Sequence, residues 1–319
     1  MTDPGACLVT GATGFIGGHL AQRLVAEGER VRCLVRPTSD TALLRALGVE
    51  LAVGDLTDTG SLGRAMEGCA SVVHCGALVS DWATVAEIEA INVAGTRSLL
   101  AAAAAARVRR FVHVSTTDVH ARRAPNWYAR TKRAAEAEVA RARGVETVVV
   151  RPATVYGPRS TEMVGEIARA IRGRHMVLID RGRAIAGLVY VDNLVDALGL
   201  ALRSAAAPGE AFDVTDGLDV TWRRFTDDLA RGLGCPPVRF SLPFAVAHGL
   251  GFALEHGYRT LRRATGVTVP ALLSRQAVHV LGVDQDFSAA RARELLGWTP
   301  RVGYEAGLEA TLAWLRTVG

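Results

Sequence analysis

Short apolar runs recur through the first half of the chain, at Ala6–Thr10, Arg30–Val35, Glu50–Val53, Ser71–Cys75, Arg110–Ser115 and Thr147–Arg151. Runs of this length, bounded by turn residues, predict buried strands. The segments between them carry helical spacing: Phe15–Glu27, Thr41–Leu47, Ser61–Glu67, Val85–Ala106 and Trp127–Arg143. The alanine run Ala101–Ala106 follows Leu99 and Leu100 and precedes a strand, so it reads as good helix former rather than as disorder. Regular strand–helix alternation predicts an α/β fold, a doubly wound parallel sheet with helices on both faces.

After Arg151 the alternation fades. Pro158, Pro208, Pro236, Pro237, Pro243, Pro270 and Pro300 cut the chain into short elements, which predicts a smaller C-terminal lobe. The expected division is a dinucleotide-binding domain over residues 1–152, rejoined by 186–203, with a substrate-binding lobe over 153–185 and 204–319. Within it, Gly187–Val191 reads as a strand returning to the main sheet. The segment Pro243–Leu261 has a broad apolar helical face formed by Phe244, Val246, Leu250, Phe252, Leu254, Tyr258 and Leu261. That face suits a pocket for a lipophilic ligand, and equally core packing or a dimer contact. With Arg259, Arg262 and Arg263 it also suits a peripheral membrane contact.

Composition narrows the class. With 319 residues, 49% of them hydrophobic, the chain can bury a large core. The five cysteines have no metal-ligand spacing and read as free thiols of a reducing cytoplasm. No apolar run reaches membrane-span length and no signal peptide is apparent. The net charge of +5 comes mostly from arginine, with short clusters at Arg107–Arg110 and Arg259–Arg263 that read as solvated helix ends. No nucleic-acid motif accompanies them. The expected partners are a small-molecule substrate and a second copy of the chain, in the cytoplasm, with no metal. Of the 37 lysine and arginine residues, only Lys132 is lysine. A compact ammonium and a planar guanidinium are not interchangeable in a tight site, so this position is a candidate for chemistry, against codon bias as the ordinary explanation.

Three motifs carry candidate chemistry. The first strand runs into Gly11-Ala-Thr13-Gly14-Phe15-Ile16-Gly17, a GxxGxxG turn opening a helix. Such a turn makes a tight bend, lets backbone approach a pyrophosphate, and offers helix N–H groups to it. Some 20 residues on, the second strand ends in Arg36, with Arg32 nearby; arginine there suits a 2′-phosphate, which favours NADP(H), with NAD the alternative. Asp55, after the third strand, is placed to reach an adenine or to cap the next helix. Tyr128 and Lys132 then stand at i and i+4 on one helical face. A phenol titrates near pH 10, and a neighbouring ammonium makes it a better proton donor and acceptor at neutral pH.

Together with Gly54-Asp55-Leu56, His74-Cys-Gly-Ala77, Asn92-Val-Ala-Gly-Thr96, Val114–Val119, Arg151-Pro152, Val155–Pro158 and Tyr190–Asn193, these motifs resemble the extended short-chain dehydrogenase/reductases along nearly the whole chain. The wording is nearest the 3β-hydroxysteroid dehydrogenase and dihydroflavonol-reductase branches, through Ala77–Trp82 and Arg151–Pro158. The resemblance implies a Rossmann-type nucleotide domain and a catalytic set of Thr116, Tyr128 and Lys132, with Ser115 and Thr117 one position to either side of Thr116. With the readings above, the expected cofactor contacts are the glycine turn, Arg36, Asp55, Leu56, Ala77, Ser115, Tyr128, Lys132 and Pro152, and the resemblance implies a supporting role for Asn92. Ser80, Thr116 and Thr154 are the candidate substrate contacts. Three departures bear on the substrate. Only eleven residues separate Thr116 from Tyr128, fewer than the family usually has. Thr154 stands where sugar-nucleotide epimerases carry asparagine, and Thr117-Asp118 stands where the dehydratases carry Asp-Glu. Reversible alcohol–ketone hydride transfer on a small lipophilic substrate is therefore expected. An epimerase with tightly held cofactor and a non-catalytic NADP(H) sensor are the alternatives.

Overall fold

A computed structural model describes residues 5–79, 83–121, 127–265 and 275–318, with 258–265 described by backbone alone. Along the chain run β1 (Ala6–Thr10), α1 (Phe15–Ala26), β2 (Val31–Val35), α2 (Ala42–Ala46), β3 (Glu50–Val53), α3 (Thr59–Met66), β4 (Cys69–His74), α4 (Val85–Glu89), α5 (Thr96–Ala105), β5 (Arg110–Val114), α6 (Trp127–Arg141) and β6 (Glu146–Pro152). There follow β7 (Thr154–Tyr156), α7 (Glu166–Arg172), β8 (Leu178–Ile179), β9 (Leu188–Tyr190), α8 (Val191–Arg203), β10 (Ala211–Val214), α9 (Trp222–Gly232), β11 (Ser241–Leu242), α10 (Phe244–Thr265), α11 (Arg275–Gly282), α12 (Ala290–Leu296) and α13 (Tyr304–Thr317).

The chain forms two compact units. The first takes residues up to Ala153, with Val191–Val214 and Ser288–Arg301. Its core is a parallel seven-stranded sheet in the order β10-β6-β5-β4-β1-β2-β3. This is the doubly wound order, reversing direction between β1 and β4, and ligands of such sheets sit at the carboxyl ends of the strands near that reversal. The inner strands β1 and β5 are buried at every position, as strands covered on both faces must be. On one face Leu62, Met66, Leu99 and Ala103 pack over Leu8, Val72 and Phe111.

The strand expected over Gly187–Val191 does form, as β9, but it does not return to the main sheet. It pairs in parallel with β7 in a separate two-stranded sheet. The seventh strand of the main sheet is β10, an edge strand beside β6 that buries Phe212 and Val214 and leaves Ala211 and Asp213 half-buried. Its short alternating pattern is that of an edge, and apolar content alone makes β9 look like the better inner strand.

The second unit comprises Thr154–Tyr190, Thr215–Phe287 and Val302–Gly319. Trp222, Phe225 and Tyr156 are buried in it, and Tyr156 meets Tyr190 and Phe225 edge-on. The predicted Pro243–Leu261 helix is α10. Phe244 and Ala247 pack with Ile179 and Val278, whereas Val246, Leu250, Phe252 and Leu254 are exposed. Its residues Tyr258, Arg259, Leu261, Arg262 and Arg263 lie outside the described side chains. Among the described residues no helix is long and apolar enough to cross a membrane. All five cysteines are free.

Candidate active site

The glycine turn joins β1 to α1. Gly11 holds φ +68°, and a Cβ there would stand 2.7 Å from the Gly76 backbone nitrogen. A side chain at Gly17 would collide with the Gly11 carbonyl oxygen. Both glycines are therefore required by geometry: the first for the turn, the second for close passage of the helix over it. Gly14 caps α1 without any side-chain hydrogen bond, the first turn holds no acid, and Thr13 and Gly14 are exposed with Phe15 and Ile16 half-buried behind them. The leading amides of α1 are thus open to an anion, and the residues fit the pyrophosphate of a dinucleotide.

The turn is tied to the neighbouring strand by a chain of hydrogen bonds. Gly76 N–H donates to Thr10 Oγ1 (3.1 Å), which lies 2.7 Å from His74 Nδ1; His74 Nε2 lies 3.0 Å from Thr96 Oγ1, which donates to the Asn92 carbonyl (2.7 Å). Thr96 has one hydroxyl hydrogen and spends it on Asn92, so His74 Nε2 must donate. Burial, with the charge of Lys132 behind it, holds His74 down to about 3. The ring is therefore neutral, and Nδ1 accepts from Thr10.

Asn92 continues the chain. The predicted Val85–Ala106 helix is broken by a π-helical turn over Ala90–Gly95. This places Asn92 so that its Oδ1 accepts from Leu78 N (2.7 Å) while Nδ2 donates to Leu78 O (3.0 Å) and Thr131 Oγ1 (3.2 Å). Thr131 in turn donates to the Tyr128 carbonyl (3.0 Å). Inserted π turns recur at functional sites because they re-aim a side chain. The end of β1, the end of β4 and the helix of Tyr128 are so held in one network, which the sequence motifs contain but do not connect.

Tyr128 and Lys132 share a face of α6. The Lys132 ammonium is buried, donates to the Val114 carbonyl at the end of β5 (2.6 Å), and stands 6.0 Å from the Tyr128 ring centre. Burial holds it down to about 8, with Cys75 and Glu136 pulling the other way. Two residues beyond Val114, half-buried Thr116 is extended and caps a 3₁₀ turn over Thr117–His120, its Oγ1 accepting from Asp118 N (3.2 Å). Its hydroxyl hydrogen remains available to an external oxygen. The flanking Ser115 and Thr117 are buried, and Ser115 Oγ has no hydrogen-bond partner among the described residues.

At the end of β2, Arg36 is exposed and has no ion-pair partner among the described residues, whereas Arg32 turns away, donating to the Ala65 and Glu67 carbonyls and pairing with Glu50 (2.8 Å). Arg32 is therefore occupied at the end of α3. Asp55 accepts from Thr57 N (2.9 Å) and Thr57 Oγ1 (2.7 Å); the Thr57 hydroxyl and amide, with Arg36 adding a smaller pull, hold its carboxyl below the usual range. Asp55 does not cap α3, whose N-cap is Asp58, accepting from Gly60 N (3.0 Å); the Asp55 contact with Thr57 is a turn ahead of that helix. Leu56 and Ala77 are half-buried beside the turn, and Pro152 closes β6. Thr154 opens β7 in the second unit. Ser80 lies outside the described residues.

A doubly wound sheet, a glycine turn feeding an open helix N-terminus, and a Tyr-x-x-x-Lys helix following β5 define an extended short-chain dehydrogenase/reductase. The chain belongs to the NAD dependent epimerase/dehydratase family, which matches residues 7–215, and it is an NAD(P)-dependent oxidoreductase. It is 35% identical over 320 residues to the 4-hydroxy-2-methyl-3-oxo-4-farnesyl-3,4-dihydroquinoline-1-oxide ketoreductase of Stigmatella aurantiaca, covering 95% of this chain and 94% of that one. To the 3 beta-hydroxysteroid dehydrogenase/Delta 5-->4-isomerase of Mycobacterium tuberculosis (strain ATCC 25618 / H37Rv) it is 30% identical over 332 residues, 94% of this chain and 87% of that one. The crystal structure of gox2253 is similar with a TM-score of 0.79 and 27% identity over 98% of each chain.

Proposed function

We propose that this protein is an NADP(H)-dependent ketoreductase that interconverts a secondary alcohol and its ketone on a lipophilic substrate. The observation that carries this is the pairing on α6 of Tyr128 with a buried Lys132 whose ammonium is anchored to the end of β5. When bound, the cofactor supplies or accepts the hydride. In the reducing direction Tyr128 Oη gives its proton to the substrate oxygen, and the Lys132 ammonium stabilises the phenolate left behind. Thr116, whose oxygen already accepts from Asp118 N, donates its hydrogen to the same substrate oxygen and fixes its position. The leading amides of α1 would hold the pyrophosphate of a bound dinucleotide, and Leu56, Ala77, Ser115 and Pro152 would line the cofactor. Arg36, exposed and without an ion pair among the described residues, would hold the 2′-phosphate, which is the basis for NADP(H) over NAD(H). Asp55 would serve the adenine side.

Thr154 and Ser80 are the proposed substrate contacts. A lipophilic substrate is supported by the farnesyl-quinoline and steroid named for the two relatives and by the apolar outer face of α10. A cytoplasmic homodimer is part of the same reading. Light scattering tests the dimer.

The test is spectrophotometric. NADPH oxidation is followed with a panel of apolar ketones and, separately, with a panel of sugar nucleotides. Net oxidation confined to apolar ketones is expected. Tight sugar-nucleotide binding with interconversion and no net cofactor turnover overturns the reading in favour of an epimerase.

A further inference from the structure

The 3₁₀ turn that carries Thr116 is four residues long, too short to satisfy its own trailing carbonyls. Val119 is buried, so its carbonyl needs a protein partner. That partner comes from α6. Arg133, the residue after Lys132, donates to Val119 O through Nε (3.1 Å) and Nη2 (2.6 Å), and Nη2 also donates to Ala121 O (2.7 Å). A second contact holds the turn from the sheet side. His120 Nε2 lies 2.9 Å from Asp213 Oδ2 on β10, and Asp213 stands 3.7 Å from Arg151, which is paired with Glu136 of α6 (2.6 Å). The turn bearing the Thr116 hydroxyl is therefore clamped to the helix bearing Tyr128 and Lys132 by one guanidinium.

We infer that Arg133 is a positioning residue that sets the Thr116 hydroxyl against Tyr128. The chemistry favours arginine: a planar fork serves two carbonyls at once, where an ammonium engages one. Only eleven residues join Thr116 to Tyr128, so a side-chain clamp between the two elements takes the place of a long connecting loop. This inference rests on the reading of Thr116, Tyr128 and Lys132 as the reacting set.

The experiment uses the full-length protein and the ketone turned over fastest in the panel above. Arg133→Met, Arg133→Lys, Thr116→Val, Tyr128→Phe and the Arg133→Met/Thr116→Val double variant are compared for kcat, KM and NADPH affinity. Arg133→Met is expected to lower kcat by roughly 10- to 100-fold, as misplacement of a reacting group does, with NADPH affinity unchanged within about twofold. Arg133→Lys is expected to fall between it and the wild type. In the Thr116→Val background Arg133→Met costs less than about threefold more, because the group it positions is already gone. Hydrogen exchange rises in the 117–121 segment of Arg133→Met and not along α6. Arg133→Met and Arg133→Lys within twofold of wild type, or losses that multiply fully with Thr116→Val, overturn the inference. If Tyr128→Phe retains turnover, it is the underlying catalytic reading that fails. If Tyr128→Phe is inactive while Arg133→Met stays within twofold of wild type, the inference alone fails.

Discussion

Lys132 is costly to keep. It is the sole lysine, it is buried, and burial holds its ammonium down to about 8 from the ordinary 10.5. Folding therefore makes the proton harder to hold, and unfolding takes up protons between about pH 8 and 10.5. The destabilisation is full below pH 8 and is relieved as pH rises through that window. It amounts to about 3 kcal/mol, less about 1 kcal/mol for the bond to Val114 O. Lys132→Met is accordingly expected to raise the melting temperature of the cofactor-free protein by about 3–6 °C at pH 7, with the gap narrowing by pH 10, while removing activity. A lower melting temperature at pH 7 would contradict the assigned burial cost. Lys132→Arg keeps the charge but cannot keep the place, so its activity is expected to fall as severely. At the end of β2, Arg36→Glu sets a negative charge where the 2′-phosphate is proposed to lie. NADPH should bind about tenfold weaker or worse, a change of about 1.4 kcal/mol, with NADH much less affected; titration of both cofactors checks this, and a wild-type preference for NADH would remove the assignment.

At the scale of the elements, the glycine turn and the π turn do different work. Gly17 is fixed by the approach of α1 over the Gly11 carbonyl, so Gly17→Ala forces helix and turn apart. A loss of about 2 kcal/mol or more in stability is expected, together with weakened cofactor binding, and denaturant titration beside a cofactor titration measures both. The six strands and the helices of the first 150 residues, with α4 and α5 read as one, are legible because apolar positions recur at the period each geometry demands. The π turn at Ala90–Gly95 was not, since Val85–Ala106 keeps a helical pattern throughout and the extra residue shows only in what Asn92 reaches. Arg133 was likewise invisible: its neighbour Lys132 drew the signal, and in an arginine-rich chain one more arginine on a helix reads as solvated surface. The His74 chain could have been found, because histidine amid an apolar strand next to threonine-bearing neighbours asks for partners.

Across the whole molecule, sequence spacing gave the nucleotide unit more fully than the second one. Parallel pairing partners are far apart in sequence, so nothing local tells that β9 joins β7 and that β10 completes the main sheet. The candidate site followed the same division. Its residues in the nucleotide unit were legible through motifs whose spacing is fixed by backbone geometry, whereas Thr154 and the apolar face of α10 follow no such rule. Exposed Phe252 tests the lipophilic reading at that scale: Phe252→Ala is expected to change which apolar ketones are preferred and to leave NADPH affinity unchanged.

The central claim is that Tyr128 transfers the proton in a net NADPH-dependent ketone reduction. Its most direct measurement is single-wavelength NADPH oxidation by wild type and Tyr128→Phe with the preferred apolar ketone, alongside cofactor titration of both proteins. Steady oxidation by the wild type is expected, with a loss of about 10²- to 10⁴-fold in Tyr128→Phe and NADPH affinity unchanged between the two. Turnover by Tyr128→Phe within a few-fold of wild type would contradict the claim.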